Sequence, residues 1–284
     1  MKMLLAEYEA IAARHSQLPV RKSLDVLLKE FAHVPGHVLR SIVSGCFVRW
    51  VRKNHHRFSS VTSRAMYYGH FKERSKSPRP GFLLEMADQM KFSPSLLCRL
   101  ILENYLTEIG DPQGKKRITN LLKDSSLIRD KVLAFEVFYC TINDPFYGPY
   151  NDAKKKYQVS QENEIRLKDF LREKNIAFLD ENDLRDQGFD KTVDVKLSVP
   201  AVINGENIIM WIESKSAFGD PKTHAECTRE QYHSYVNRFG PGLVIYWSGF
   251  VDELQHCPEN QIGNSIVYLA DSPPEDIRSM IDLV

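Results

Sequence analysis

Residues 191–215 read KTVDVKLSVPAVINGENIIMWIESK, and their reading decides the fold of the second half of the chain. Asn204-Gly205 is the preferred pair for a two-residue hairpin turn, because both central positions of that turn need a positive φ. Val, Ile and Leu recur on either side at the alternation a strand requires. A two-residue turn sets Ile203 opposite Glu206, and further along Lys196 opposite Glu213, Val195 opposite Ser214 and Asp194 opposite Lys215. Opposed residues share a face. Val193, Val195, Leu197 and Val199 then form one apolar face with Ile208, Met210 and Ile212. Asp194, Glu213 and Lys215 stand together on the other, with Asp194 and Glu213 as diagonal neighbours on the order of 7 Å apart. Pro200 lacks a ladder donor and marks the place where a bulge would slip this register.

Two carboxylates at that separation can grip one cation. Phosphodiester hydrolysis needs a metal to polarise phosphate oxygens, an activated water, and a cation for the charge that develops. Magnesium, or manganese, on Asp194 and Glu213 meets the first two needs. Lys215 meets the third, and the Ser214 backbone carbonyl is an additional ligand. As a string, Asp followed about twenty residues later by E-x-K is common, so the flanking elements matter. Upstream, Ser160 is an expected N-cap for a helix to about Lys174, with Glu164 on the face of Leu167 and Leu171 and so pointing inward. Residues 176–179 and 192–199 are expected to be extended. Downstream, a helix of about residues 225–239 carries Gln231 and Tyr235 at i and i+4 and ends at Gly240-Pro241-Gly242 before the strand LVIYW. His224, Cys227 and His233 lie close in sequence, but without a second paired cluster they make a poor zinc site.

The first half differs in composition. Residues 1–150 hold 23 Lys+Arg against 14 Asp+Glu and the remainder 15 against 23, so a net charge of +1 conceals +9 and −8. Between Gly36 and Pro80 ten basic residues face one acid, Glu73, which points to a polyanion partner. Residues 1–140 read as helices without a strand, with apolar residues recurring at three and four (Leu24, Leu27, Leu28, Phe31; Leu96, Leu97, Leu100, Ile101). Phe82–Met90 reads as a short helix, Lys91-Phe92 as a break, and Ser93-Pro94 as the start of a helix to about Glu108. The pair suggests helix-turn-helix, with a weaker copy 59 residues upstream around Pro35, Arg40 and Ile42. WVRKNHHRF interleaves aromatics with cations, which makes Arg49, Arg52, Lys53 and Arg57, with Arg99, the candidate nucleic-acid contacts. His33 and His37 have a metal-ligand spacing but no third partner nearby. Thr141–Tyr157, with Phe146, Tyr147, Tyr150 and Lys154 to Lys156, reads as a linker whose aromatics pack between domains. The domains are expected at 1–148 and 149–284.

Five cysteines without a C-x-x-C pair argue against a disulfide framework. A reducing intracellular compartment fits. Early Glu7 and Glu9 break any signal-peptide pattern, and no run approaches eighteen apolar residues. No dimer signature is visible, so a monomer is expected.

The segments K-T-V-D, W-I-E-S-K, E-Q-Y-H-S-Y and N-R-F-G-P-G-L-V-I-Y-W resemble the codanin-interacting nuclease family, most closely from Thr192 to Phe250. The resemblance implies an α+β two-domain fold. An N-terminal all-α helix-turn-helix-like domain precedes a restriction-endonuclease-like PD-(D/E)XK α/β core, a mixed sheet flanked by helices. It implies magnesium-dependent cleavage of DNA or structured RNA and a codanin-like partner in chromatin assembly. It further implies residence in the nucleus, with the cytoplasm as a second compartment. Gln231 and Tyr235 fit the Q-x-x-x-Y pattern of some nucleases of this fold. The alternative reading is a catalytically weak or silent nuclease fold that serves as a protein-binding subunit of a codanin-like complex. Where the family has Thr-Pro-Asp, this chain has Thr192-Val193-Asp194. Proline constrains the approach of the strand but contributes no ligand, so the ligand set is unchanged.

Overall fold

The computed structural model describes residues 1–77, 79–111, 113–148 and 153–283, with side chains for all of these except 153–157, 282 and 283. The expected domain boundary at 149 and Tyr150 lie outside the described residues, as do the side chains of Lys154, Lys155 and Lys156. Along the chain run β1 (Lys2–Met3), α1 (Leu5–Gln17), α2 (Ser23–Glu30), α3 (Gly36–Phe58), α4 (Val61–Arg74), α5 (Phe82–Gln89), α6 (Pro94–Glu108), α7 (Ile118–Lys123) and α8 (Lys131–Ile142). Then follow α9 (Ala153–Glu173), β2 (Phe178–Asp180), α10 (Glu181–Asp186), β3 (Val195–Ile203), β4 (Asn207–Lys215), α11 (Pro221–Cys227), α12 (His233–Phe239), β5 (Gly242–Tyr246), β6 (Phe250–Val251), β7 (Gln261–Ile262), β8 (Ser265–Ala270) and β9 (Arg278–Ser279). The fold is mixed α and β, in two compact units. One comprises residues 1–12, 34–42 and 158–284, the other residues 13–33 and 43–157. Among the described residues no helix is long and apolar enough to cross a membrane.

The helical unit is built around α6, whose Leu97, Cys98, Leu100, Ile101, Leu102, Tyr105 and Leu106 are all buried. Two buried carboxylates seat its helix starts. Asp144 accepts from the Ser93 hydroxyl and from the amides of Ser95, Phe146 and Tyr147, while the Ser93 Oγ accepts from Leu96 N–H at 3.1 Å. Glu136 accepts from the amides of Gly81 (2.7 Å) and Leu83 (3.0 Å) at the start of α5. Each satisfies helix donors that no intrahelical carbonyl can reach. The helices α5 and α6 fall where the sequence put them, and α2 and α3 repeat the order of an eight-residue helix followed by a long one. The helix α6 packs against α4, α5, α7 and α8, with Leu96, Arg99 and Glu103 half-buried and Thr107 exposed along its remaining face. Arg99, half-buried there, donates to the Thr119 hydroxyl at 3.4 Å. Phe146 of the expected linker is buried in this unit against Phe47, with ring centroids 4.8 Å apart.

In the other unit, β2, β3 and β4 are antiparallel, β4, β5 and β8 parallel, and β7 and β9 close the edges on β8 and β3. One face is sealed by α9 through Leu167 and Leu171, which pack with Ile176, Val195, Leu197, Ile212, Leu243 and Ile245. The other carries Trp211, fully buried, edge-on to Tyr235 at 5.4 Å with its indole N–H on the Gly240 carbonyl (2.8 Å). Gly242 lies directly under that indole, and a Cβ there would stand 2.1 Å from it. Contrary to the all-helical reading of residues 1–140, β1 pairs in parallel with β6. A two-residue strand has no periodicity to detect.

The hairpin exists, but its register differs from the expected one. Asn204 and Gly205 both have positive φ (50° and 79°), yet the first pair is Ile203 with Asn207, which makes a three-residue loop. Val202 meets Ile208 and Ala201 meets Ile209. The ladder is then interrupted between Ala201 and Lys196 and resumes with Lys196 opposite Trp211 and Val195 opposite Ile212. Pro200 lies inside the interruption, as a residue without a ladder donor must. Near the turn the expected faces are consequently exchanged: Ile209 is buried and Ile208 is 42% exposed. Two helix readings also change. The helix α9 begins at Ala153, so Ser160 is internal and caps nothing. The helix expected at 225–239 spans 221–239 as α11, a π-turn at Thr228–Tyr232, and α12.

Candidate active site

Continuing the pairing of Val195 with Ile212 one residue outward sets Asp194 across from Glu213. The two are therefore opposed, where the expected register made them diagonal neighbours. Val195 and Ile212 point into the core against α9, so Asp194 and Glu213 point to the opposite face. The Asp194 Oδ2 accepts the Ser214 amide at 2.7 Å. Because the N–H and C=O of one strand residue leave by the same edge, the Ser214 carbonyl also faces Asp194. The Ser214 hydroxyl turns the other way and accepts the Trp247 indole N–H at 2.8 Å.

Glu213 is 5% exposed. Its Oε1 accepts from the Lys215 ammonium at 2.6 Å, while its Oε2 has no hydrogen-bond partner among the described residues. A buried carboxylate oxygen without a donor is costly, and such orphans mark places where something else binds. Lys215 also donates to the Gln231 amide oxygen at 2.9 Å. Gln231 is carried on the π-turn, a distortion that recurs at functional sites. Tyr235 follows on α12, and both side chains reach the site. Tyr235 is buried, and the charges of Glu213 and Asp194 add to burial in raising its hydroxyl pKa.

The electrostatics follow from packing two carboxylates side by side. Burial and the neighbouring Glu213 push the Asp194 carboxyl up to about 8, against the opposing pull of the Ser214 amide and Lys215. Burial raises Glu213 as well, although Lys215 works against it. For Lys215 burial acts to lower the pKa, but the charge and hydrogen bond of Glu213 outweigh it and the ammonium is held. Glu164, half-buried on α9 and 3.4 Å from the Ser160 hydroxyl, adds its charge to those raising Asp194.

The structure thus brings Asp194, Glu213, Ser214, Lys215, Gln231, Tyr235 and Glu164 to one region. Arg49, Arg52, Lys53, Arg57 and Arg99 belong to the helical unit. There Arg52, Lys53 and Arg57 are exposed on α3 beside Trp50, while Arg49 and Arg99 are half-buried. His224 is no zinc ligand: it is 1% exposed, bonded through Nδ1 to the Tyr246 hydroxyl (2.9 Å) and through Nε2 to the Asn260 Oδ1 (2.7 Å). His33 lies in the turn before α3 and His37 on that helix, so they do not share a helical face. Among the described residues no group of three or more His, Cys, Asp or Glu is arranged to enclose a metal.

One site neighbour was not legible in the sequence. Glu181, the first residue of α10, is near enough for its charge to raise both Glu213 and Tyr235. The acidic run Asp180 to Asp183 does announce the start of a helix, and Asp180 and Asp183 form a capping box. Nothing in that run says that Glu181 lies near Glu213 and Tyr235.

Residues 129–267, which span all these site residues, match the family described as "Protein of unknown function TPD sequence-motif". Similarity to curated proteins runs through nearly the whole chain. CDAN1-interacting nuclease 1 of Danio rerio is 40% identical over 283 residues, 99% of this chain and 92% of its own. The chain belongs to the CDAN1-interacting nuclease 1 family. The Homo sapiens relative is 41% identical over 257 residues (89% of this chain, 91% of its own), and that of Gallus gallus 37% over 285 residues (99% and 97%). No solved structure matches the chain.

Proposed function

We propose that this chain is a metal-dependent nuclease of the PD-(D/E)XK type, with Asp194, Glu213 and Lys215 as its catalytic core. The observation that carries the reading is the opposed pair of carboxylates, Asp194 half-buried and Glu213 buried, whose Glu213 Oε2 has no donor among the described residues. The residues fit a divalent cation such as magnesium or manganese. Asp194, Glu213 and the Ser214 carbonyl would hold it, and two carboxylates with one carbonyl suit an ion that keeps several waters and takes substrate phosphate. When bound, it supplies polarisation of a phosphate oxygen and a more acidic water. The chain's own residues do the rest. Lys215, kept charged by Glu213, faces the phosphate and stabilises the negative charge that grows in the transition state. Gln231 fixes the direction of that ammonium. Glu164 adds a further carboxylate on the side of Asp194. The order of α9, β2, the β3–β4 hairpin, the α11–α12 helix and β5 supports the fold assignment, since it is the order of a restriction-nuclease core.

DNA or structured RNA is the substrate we assign. Arg52, Lys53 and Arg57, exposed on α3, would meet its phosphates. The test is cleavage of labelled single-stranded, duplex and branched DNA and RNA with magnesium or with chelator, beside Glu213→Ala. Cutting that requires the metal and disappears in the variant is expected. Cutting that survives the substitution would refute the assignment.

The relatives' names give a second role, interaction with a codanin-like protein, and one observation favours it here. Phe135, Phe138, Tyr139 and Ile142, 37% to 47% exposed, stand at i, i+3, i+4 and i+7 on α8. An aromatic stripe at that spacing is a face a partner helix covers. Phe138→Asp should abolish co-purification with the partner while cutting is unchanged; an intact complex would refute this face.

A further inference from the structure

We infer that Thr192 and Glu181 are positioning residues for Asp194, and that their hydrogen bond does in this chain the work of the proline absent at 193. The inference rests on the nuclease reading for its catalytic consequence, though not for its geometry.

Asp194 is the last residue of the segment that links α10 to β3, and it precedes the first ladder pair. A ligand on the end of an unpaired segment is free to swing unless something outside the sheet holds it. Proline would do so by fixing one φ. Val193 fixes none, but the segment is fastened side chain by side chain. Asp190 is paired with Arg238 of α12 at 2.5 Å, and the same guanidinium donates to the Lys191 carbonyl at 3.3 Å. The Lys191 ammonium reaches the Glu230 carbonyl at 3.4 Å. Val193 is fully buried. These contacts fix the segment as far as Lys191 and anchor it at Val193, but those of Asp190 and Lys191 are solvent-exposed and individually weak.

The Thr192 hydroxyl supplies the fastening nearest the ligand. It donates to the Glu181 Oε1 at 3.1 Å in a partly buried setting. The same oxygen accepts from Arg185 at 2.6 Å, one turn along α10, so Glu181 is itself held. Asp194 is thus braced on both sides, by Thr192 two residues before it and by the Ser214 amide on its Oδ2. Among the described residues the Val193 amide makes no hydrogen bond, so a proline would remove none. Ring and hydroxyl are two solutions to one restraint, and they should substitute for each other.

The experiment compares Thr192→Val, Thr192→Ser, Glu181→Ala and Thr192→Val combined with Val193→Pro, each checked for a wild-type circular dichroism spectrum. Hydrogen exchange is read at the Ser214 amide against the Ile212 amide as internal reference. Thr192→Val and Glu181→Ala should speed Ser214 exchange about threefold to tenfold, the worth of one hydrogen bond. Thr192→Ser should not, and adding Val193→Pro to Thr192→Val should restore protection. In the cleavage assay the same ranking should appear in kcat with KM unchanged. Unchanged Ser214 exchange in Thr192→Val, or a loss that proline does not restore, overturns the inference. Wild-type protein that cuts nothing would refute the nuclease reading alone, because the exchange ranking decides the positioning role without turnover.

Discussion

Replacing Asp194 by Asn should make the metal-free protein more stable at neutral and alkaline pH while abolishing its function. Burial and Glu213 lift the folded carboxyl of Asp194 to about 8, against about 4 for an unfolded aspartate. Between those values folding takes up a proton. The stability associated with that proton is fully present below about pH 4 and is lost as the pH rises toward 8. One proton corresponds to a slope of about 1.4 kcal/mol per pH unit, an upper bound because Asp194 and Glu213 titrate as a pair. From pH 6 to pH 7 the wild type should lose about 1 kcal/mol, or roughly 2–4 °C in Tm for a chain of this size. The asparagine of Asp194→Asn keeps the acceptor for the Ser214 amide but has no proton to lose, so the variant's Tm should fall less than that of the wild type over that interval. Divalent metal should reverse the order. At a hundredfold excess over Kd it should stabilise the wild type by about 2.7 kcal/mol and the variant far less. Calorimetric scans at half-unit steps from pH 5 to pH 8.5, with chelator or manganese, measure both effects. Parallel Tm profiles for wild type and variant, with equal response to manganese, would refute the placement of the two carboxylates.

Three further outcomes follow from other parts of the chain. Gly242→Ala places a methyl 2.1 Å from the Trp211 indole and should cost about 3 kcal/mol in urea unfolding; a loss below about 1 kcal/mol would mean that the indole moves freely. Asp144→Ala leaves the Ser93 hydroxyl and three amides without their acceptor and should destabilise the helical unit by about 3 kcal/mol, seen as an earlier loss of helical circular dichroism. Neutralising Arg52, Lys53 and Arg57 together should weaken nucleic-acid binding and flatten its salt dependence by about 0.9 for each phosphate no longer neutralised. An unchanged slope in filter binding would show that α3 does not meet the phosphates.

The site and the strand register were legible in the sequence to different degrees, and the reason is arithmetic. The expected pairing was wrong along the whole hairpin, by one residue next to the turn and by two next to the site. An error of one exchanges faces, which is why Ile208 is exposed and Ile209 buried. An error of two preserves them, so Asp194, Glu213 and Lys215 still share a face, now with the carboxylates directly opposed. Alternation is a local signal and survives a displacement of two; the displacement itself depends on how many residues the interruption at Pro200 consumes, which no local pattern records. The same distinction separates the caps of α5 and α6. Ser93-Pro94 marks its helix start within two residues, whereas Glu136 and Asp144 act across 49 to 55 residues and were invisible. Glu181 belongs with them, a residue whose neighbours in sequence announce a helix and whose neighbours in space make it part of the site. What a sequence shows of an active site is the set of residues that share an element; the braces come from elsewhere in the chain. Substitutions at the braces therefore discriminate between structural accounts of this site better than further substitutions at Asp194 or Glu213, whose loss every account predicts to be silent in catalysis.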